Sequence, residues 1–236
     1  MKIVSVDSTA TACSVALMED EKVLGEFYCN TKLTHSQTLM VMAEQLMACT
    51  QYALEDVDAF AVAAGPGSFT GVRIGVSAVK GMAMALEKPC VGVSTLEAMA
   101  RNLSFLRGTV CALMDARCGQ VYTACFRAEN GRLTRLTEDG ALPAEEAAKA
   151  CAGFPGPLFL TGDGAELCYG QEAFQALRPT LLPEPLRYQR ACGVAKAALE
   201  ILLRGGGTDA RELMPIYLRL PQAQRELKKK QEISRA

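Results

Sequence analysis

A glycine-rich string, Gly-Pro-Gly-Ser-Phe-Thr-Gly-Val-Arg-Ile-Gly at residues 65–75, constrains the fold more than any other stretch of the chain. A short apolar run at 60–64 precedes it and is typical of a buried strand. A helical pattern over about 70–86 follows it. Because Gly65 and Gly67 can adopt backbone angles closed to other residues, the string predicts a tight strand-to-helix turn. Ser68 or Thr70 is expected to cap the helix.

This turn has two interpretations. A helix N-terminus carries partial positive charge and unpaired N–H groups, so the turn could cradle an anion. It could equally do no more than join two elements. A Walker-type phosphate loop is excluded, because no Lys-Ser or Lys-Thr pair follows the glycines.

The helix after the turn carries three glycines, Gly71, Gly75 and Gly81. Each interior glycine costs about 1 kcal/mol relative to alanine, so close approach of another backbone is the expected reason for them. Gly71, Gly75 and Ala78 share one helix face.

Composition excludes several classes of protein. The chain has 236 residues, half of them apolar, and a net charge of −1, which indicates a globular protein without a basic field for nucleic acid. Trp is absent and 6% of residues are aromatic, which argues against a base-stacking platform. We expect a soluble cytoplasmic protein with no membrane partner, because no signal-peptide core or membrane-length apolar run is present.

The ten cysteines are irregularly spaced and form no CxxC pair. This spacing favours buried thiols in a reducing cytosol over a disulfide framework or a zinc site.

Two halves of the chain repeat the same order of elements. The first half predicts strands at 2–6, 13–18, 23–28, 59–64 and 90–93, and helices at 35–49, about 70–86 and about 94–103. The second predicts strands at 110–116, 120–127, 133–136 and 158–161, helices at 144–151 and 191–204, and a loop at 179–185. Asp115 echoes Asp7 at a strand end, and Gly162-Asp163-Gly164 echoes Gly65-Pro66-Gly67. Duplication is the favoured explanation, with lobes at 1–104 and 105–220 and a charged tail at 221–236.

A family resemblance follows from these motifs. The strand ending in Asp7, Thr-His-Ser-Gln-Thr-Leu at 34–39, the glycine-rich string and Pro-Ile-Tyr-Leu-Arg at 215–219 together resemble the TsaB family, also called YeaZ. Its members are bacterial subunits for threonylcarbamoyladenosine modification of tRNA. The resemblance implies an α/β, actin-like ATPase (ribonuclease-H-like) fold with two duplicated lobes, each with a mixed sheet and flanking helices.

The resemblance also implies partners. It implies a non-catalytic scaffold that pairs with a TsaD-type catalytic subunit, which transfers threonylcarbamoyl to the adenosine beside the anticodon of ANN-reading tRNAs. A TsaE-type ATPase would join the complex. The free chain is expected to form a homodimer and to meet tRNA at most through the complex.

The residues exclude one kind of metal site. The catalytic relative holds a metal with two histidines four residues apart, and the matching place here is Thr95 to Met99. The chain contains one histidine, His35, so a histidine-pair site is excluded. We predict no metal site, and His35 reads as a capping or surface residue rather than a catalytic one.

A nucleotide site is weakly supported. Asp7 ends the first strand, where actin-like ATPases hold a magnesium nucleotide, but no glycine follows through Ala12. No cofactor is therefore expected, although a weak anion or nucleotide loop remains open, formed by Asp7, Ser8, Thr9, Gly65, Gly67 and Ser68. The alternative function is a stand-alone actin-fold ATPase or small-molecule kinase.

The helix at 35–49 is apolar nearly all round from Leu39 onward, which predicts burial on both sides. Its methionines could fill a core or form an adaptable contact. We expect it to pair with the helix at 70–86 as a partner surface, so that a charge at Met42 or Met82 abolishes pairing while the monomer stays folded. The predicted interface residues are His35, Leu39, Met40, Met42, Ala43, Leu46, Met47, Gly71, Gly75, Ala78, Met82 and Ala85.

Lysines 228–230 could touch tRNA phosphates, but a short run flanked by glutamates is more often a solvated tail.

Overall fold

A mixed five-stranded sheet carries the first half of the chain. The structure is a computed structural model that describes residues 1–31 and 33–219. The strands are β1 (Lys2–Asp7), β2 (Cys13–Glu19), β3 (Lys22–Cys29), β4 (Ala59–Gly65) and β5 (Cys90–Ser94), in the order β3-β2-β1-β4-β5. Strands β1, β2 and β3 are antiparallel neighbours, whereas β4 and β5 run parallel to β1.

The second half repeats this sheet. Its strands are β6 (Gly108–Arg117), β7 (Gln120–Glu129), β8 (Arg132–Arg135), β9 (Gly140–Pro143), β10 (Leu158–Thr161) and β11 (Thr180–Leu181). The order is β11-β10-β6-β7-β8, with β9 paired to β7. Five of these strands correspond in order and direction to the strands of the first sheet, and β9 is an addition. The predicted duplication is confirmed.

Helices α1 (His35–Thr50) and α2 (Phe69–Ala85) cover the outer face of the first sheet. Of the two predicted caps, Ser68 and Thr70, it is Ser68 that caps α2, because its Oγ accepts a hydrogen bond from the N–H of Gly71 at 3.3 Å. Helices α4 (Ala144–Ala152), α5 (Ala165–Tyr169) and α6 (Glu172–Gln175) cover the outer face of the second sheet.

In the layer between the sheets, two helices each pack on the sheet formed by the other half of the chain. Helix α3 (Thr95–Arg101) follows the first sheet in sequence but packs its apolar side on the second. Helix α8 (Ala191–Leu203) follows the second sheet but packs on the first. They cross so closely that a Cβ on Gly193 would lie 2.0 Å from the carbonyl oxygen of Ala98. The boundary at residue 104 stays a prediction, to which the structure adds this exchange.

The predicted loop at 179–185 is wrong in part. It contains the two-residue strand β11 and leads into helix α7 (Glu184–Arg187), whose first turn holds Pro185. Elements of two to five residues are too short to show a period, which also explains why β9, α5 and α6 were not anticipated.

The charged tail and Lys228–Lys230 lie outside the described residues. In the described part of the chain, every helix is too short or too polar to cross a bilayer.

Candidate functional site

Backbone carbonyls of Thr9 and Ile216 pack against the glycine-rich turn at residues 65–68. The N–H of Ser68 donates to the carbonyl of Thr9 at 2.7 Å, and a Cβ on Gly67 would lie 2.4 Å from that oxygen. Gly65 has a φ of +128°, and a Cβ there would lie 2.2 Å from the carbonyl oxygen of Ile216. These glycines are thus explained by contacts within the chain. Carbonyl oxygens stand where an anion would approach the turn. The expectation of no cofactor, with a weak anion or nucleotide loop left open, stays a prediction.

Asp7 ends β1 in a closed turn. Its Oδ1 accepts hydrogen bonds from the N–H and the hydroxyl of Thr9 at 3.0 and 2.7 Å. Its Oδ2 has no partner among the described residues, and the side chain is fully buried. Burial therefore raises the pKa of Asp7 to about 6 despite the two donors. Ser8 points elsewhere, since its hydroxyl donates to the carbonyl of Gly71 at 2.9 Å.

A cleft of about 400 Å³ opens where the strand ends of the two lobes face each other. The 215–219 motif borders it and ties the lobes together. The N–H of Ile216 donates to Ala64 at 2.7 Å, and the guanidinium of Arg219 donates to the carbonyl of Ala116 at 2.6 Å. Other lining residues are Thr9, Thr11, Ser68, Asp115, Arg117, Tyr122, Asp163 and Tyr217.

Two of the three glycines of α2, Gly71 and Gly75, face inward. A Cβ on Gly71 would lie 2.1 Å from the carbonyl oxygen of Ser8, and one on Gly75 would lie 2.5 Å from its hydroxyl. Close backbone approach was predicted correctly, but the approaching backbone belongs to this chain's own loop after β1. Gly81 is different, because a Cβ added there would have no neighbour within 4 Å.

Most of the predicted interface residues lie in the first lobe's own core. Helix α1 buries one stripe against the first sheet, as expected, and its other side has no neighbour among the described residues. Burial of that second side against a partner stays a prediction. Met42 and Met82 are 8% and 7% exposed, so a charge at either would disrupt this core rather than only a partner contact. The buried residues of the predicted set are Leu39, Met42, Ala43, Leu46, Met47, Gly71, Gly75 and Met82.

The remaining members lie on or near the surface. Met40 is 50% exposed, Ala85 is exposed, and His35 and Ala78 are half-buried. His35 Nε2 lies 2.7 Å from the carbonyl oxygen of Ala10, so this imidazole ties the start of α1 to the loop between β1 and β2.

A groove of about 610 Å³ runs between α1 and α2. We call it the two-helix groove, and it is lined by His35, Ser36, Leu39, Met40, Phe69, Thr70, Arg73, Ile74, Ser77 and Ala78. Sequence reasoning missed Phe69, Arg73 and Ile74. Arg73 lies over the Phe69 ring, 3.9 Å from its centroid, and its Nε donates to the Tyr217 hydroxyl at 2.8 Å. Helical spacing from Gly71 and Ala78 could have indicated Ile74, whereas Tyr217 is distant in sequence.

The stretch Thr95–Met99, where a histidine pair was excluded from the sequence, holds an ion-pair network. Thr95 and Met99 are buried, while Glu97 accepts hydrogen bonds from Arg101 at 3.0 Å and from Arg135 at 2.9 Å. Burial alone would raise the pKa of Glu97, but the two guanidinium groups outweigh it and lower the pKa. Arg135 lies on β8 and Glu97 on α3, so the network joins the lobes.

One curated relative matches this chain over nearly its whole length. The tRNA threonylcarbamoyladenosine biosynthesis protein TsaB of Escherichia coli is 33% identical over 93% of this chain and 95% of its own length. The chain belongs to the TsaB family. The TsaB protein of Bacillus subtilis is 36% identical, and that match spans 59% of this chain and 61% of the relative.

The solved structure of YeaZ from Pseudomonas aeruginosa superposes with a TM-score of 0.80 at 30% identity, covering 92% of this chain and 99% of that one. The actin-like ATPase fold expected of TsaB-family chains is confirmed. Residues 26–157 of this TsaB-family chain also match the family model described as TsaD, tRNA N6-adenosine threonylcarbamoyltransferase. That match spans α1, α2 and most of the second sheet.

Proposed function

We propose that this chain acts in tRNA threonylcarbamoyladenosine biosynthesis as a non-catalytic scaffold that docks a TsaD-type subunit on its two-helix groove. The observation that carries the proposal is this exposed apolar groove in a chain whose relatives are TsaB proteins and whose sequence matches the TsaD family model. A partner with a related fold would offer equivalent helices. The two pairs of helices could then pack as a bundle.

The groove has the chemistry of a protein contact. Its floor is apolar, from Leu39 and Ile74, and Met40 stands at its edge with half its surface exposed. An unbranched thioether adapts to irregular partners. Val41, 55% exposed, extends the apolar surface beside Met40 toward a second groove of about 760 Å³. That groove is lined by the C-terminal half of α1, the 51–55 segment and Met82 of α2. Arg73 on the rim supplies a cation for partner specificity.

Three features support the non-catalytic role. The turn at Gly65 and Gly67 is occupied by the chain's own carbonyls. Glu97, in the stretch where a histidine pair was excluded from the sequence, is held by two arginines. His35 is held beside the backbone of Ala10. In this proposal a TsaE-type ATPase joins the paired subunits, and tRNA is contacted only through the complex.

The same groove would serve homodimers of the free chain. A groove that binds either a second copy or the TsaD-type subunit makes the two assemblies mutually exclusive. Size-exclusion chromatography with light scattering, on the chain alone and mixed with the TsaD-type subunit of the same organism, should show a homodimer that converts to a heterodimer. A free chain that remains unchanged on mixing would contradict the proposal.

Substitutions test the groove itself. Met40→Glu and Ala78→Glu should weaken heterodimer formation by about tenfold or more, because a carboxylate would be buried in an apolar contact. Threonylcarbamoyl transfer to tRNA by the mixed subunits should fall in parallel. Leu167→Glu is the matched control, since Leu167 is exposed on the outer side of the second lobe. Equal loss in the control, or full pairing by both groove variants, would contradict the groove assignment.

A further inference from the structure

Three cysteine thiols meet in the core of the second lobe. Cys111 comes from β6, Cys125 from β7 and Cys151 from α4. The Sγ of Cys151 lies 3.3 Å from that of Cys111 and 3.4 Å from that of Cys125, and all three Sγ atoms lie within 4.8 Å of one another. We call these three residues the cysteine triad. Their side chains are 0%, 2% and 3% exposed.

The surroundings of the cysteine triad are closed and almost entirely apolar. Leu113, Leu160 and Phe174 belong to the same buried cluster. The hydroxyl of Thr123 lies 3.5 Å from the Sγ of Cys111, and the hydroxyl of Thr137 accepts a hydrogen bond from the N–H of Cys125 at 2.8 Å. Among the described residues, no histidine, carboxylate or fourth cysteine joins the three sulfurs within that distance.

We propose that the cysteine triad binds one thiophilic d10 metal ion, and that the ion is Cu(I) in three-coordinate sulfur ligation. Thiolates are soft ligands that select Cu(I) and Zn(II) among the common metals. Structural Zn(II) sites almost always have four ligands, whereas this cluster offers three sulfurs and excludes water. A closed three-sulfur site therefore fits Cu(I) better.

The geometry is close to what such an ion needs. Three sulfurs around a metal at bond lengths of about 2.3 Å lie about 4.0 Å apart. The two short contacts, 3.3 Å and 3.4 Å, would therefore lengthen by about 0.6–0.7 Å on binding. Small side-chain rotations supply such a shift. As each metal–sulfur bond forms, the thiol concerned gives up its proton to solvent, and no electron is transferred. Because the site is buried, the ion enters during folding or local opening of the lobe.

The test uses the full-length chain. The reduced chain is unfolded and refolded without oxygen in the presence of Cu(I) or Zn(II), then desalted in the presence of a competing chelator. We expect about one Cu(I) per chain to be retained, with an X-ray absorption spectrum that shows sulfur neighbours only. Zn(II) should be retained at a much lower ratio.

Variants locate the ion. Cys151→Ala and the nearly isosteric Cys111→Ser should each lose most of the retained copper, with folding checked by circular dichroism. The control is Cys49→Ala with Cys118→Ala, because both of these cysteines are exposed. It should retain copper like the parent chain. If a core variant fails to fold, the X-ray absorption spectrum of the parent chain still shows whether the copper is bound by sulfur alone.

Three results would overturn the proposal: no copper retained by the refolded parent, oxygen or nitrogen neighbours in its spectrum, or loss of copper in the exposed-cysteine control. Retention of Zn(II) in preference to Cu(I) would overturn the copper assignment.

Discussion

The two lobes share one sheet topology but differ in the burial of their strand ends and in the helices that follow their glycine turns. In both, a carboxylate at the end of the first strand accepts a hydrogen bond from the N–H two residues later, from Thr9 to Asp7 at 3.0 Å and from Arg117 to Asp115 at 2.7 Å. Yet Asp7 is fully buried, whereas Asp115 is exposed. The same local hydrogen bond thus occurs in both lobes, while the burial of its carboxyl group differs.

The helices after the glycine turns differ as well. The turn at Gly65 leads into α2, a 17-residue helix that forms half of the two-helix groove. The turn at Gly162 leads into α5, which has five residues. Only the first lobe therefore offers two long helices to a partner. The second lobe instead encloses the cysteine triad, which has no counterpart at the same place in the first lobe's described core cluster.

Replacing a glycine by alanine should destabilise the chain more at the turn of the second lobe than at the turn of the first. This is the largest change in the free energy of unfolding that we expect. A Cβ on Gly162 would lie 1.9 Å from the carbonyl oxygen of Leu113, in a strand paired on both sides. A Cβ on Gly65 meets Ile216, which lies outside any strand. We expect Gly162→Ala to lower the free energy of unfolding by more than about 3 kcal/mol and Gly65→Ala by about 2 kcal/mol.

Urea unfolding measures both changes. Gly131→Ala is the control, because Gly131 also has a positive φ but nothing within 4 Å; it should lose about 1 kcal/mol. Equal losses at Gly162 and Gly65 would show that the 215–219 segment is as rigid as a central strand.

The exchange of α3 and α8 between the lobes is tested at Gly193. Gly193→Ala should lower the free energy of unfolding by about 2–3 kcal/mol, because the added methyl meets the carbonyl of Ala98 and forces the two helices apart. The midpoint of urea unfolding is the measurement. A loss below about 0.5 kcal/mol would mean that the layer between the lobes tolerates separation, and that each lobe is stable without the exchange.

Asp7 should make the stability of the chain depend on pH. Asp7 has a pKa near 6 in the folded chain, above the unfolded value near 3.8, so the folded state binds the extra proton between these pH values. Stability from this group is then highest below about pH 4 and falls as pH rises through 6. Asp7→Asn removes this penalty, so it should raise stability relative to the parent at pH 8 by on the order of 2 kcal/mol and by less at pH 5.

Asp115→Asn is the matched control. Its side chain is exposed, so we expect a change below about 0.5 kcal/mol at pH 8. Unfolding midpoints at both pH values measure the difference. If Asp7→Asn has the same effect at pH 5 and pH 8, the carboxyl of Asp7 does not titrate in this window and the contrast between the lobes is only steric.

Magnesium ATP should produce the smallest effect. We expect no thermal shift, because carbonyl oxygens of Thr9 and Ile216 occupy the turn of the first lobe. A nucleotide site filled at a hundred times its dissociation constant would add about 2.7 kcal/mol. A shift of that size, lost on Asp7→Asn, would favour the alternative of a stand-alone ATPase or kinase over the scaffold.

Sequence patterns predicted the long elements because periodicity reports which face of a strand or helix is apolar. The bounds of β1, α1, β4 and α2 agree with the predicted ones to within one residue. The capping role of Ser68 and the duplication also followed from local chemistry and order. The short elements β9, β11, α5, α6 and α7 did not, since each depends on contacts with distant strands rather than on a period of its own.

Which residues face a partner was decided only by the tertiary structure. The composition of α1 could not distinguish Met40 from Met42, because both fit an apolar helix, and only the placement of the sheet buries one and exposes the other. Likewise, the sequence predicted close backbone approach for the glycines of α2, which the structure shows at Gly71, but not whose backbone it was. The cysteine triad joins residues 40 positions apart at its widest. No local pattern reports such an approach, because strand pairing and helix packing create it.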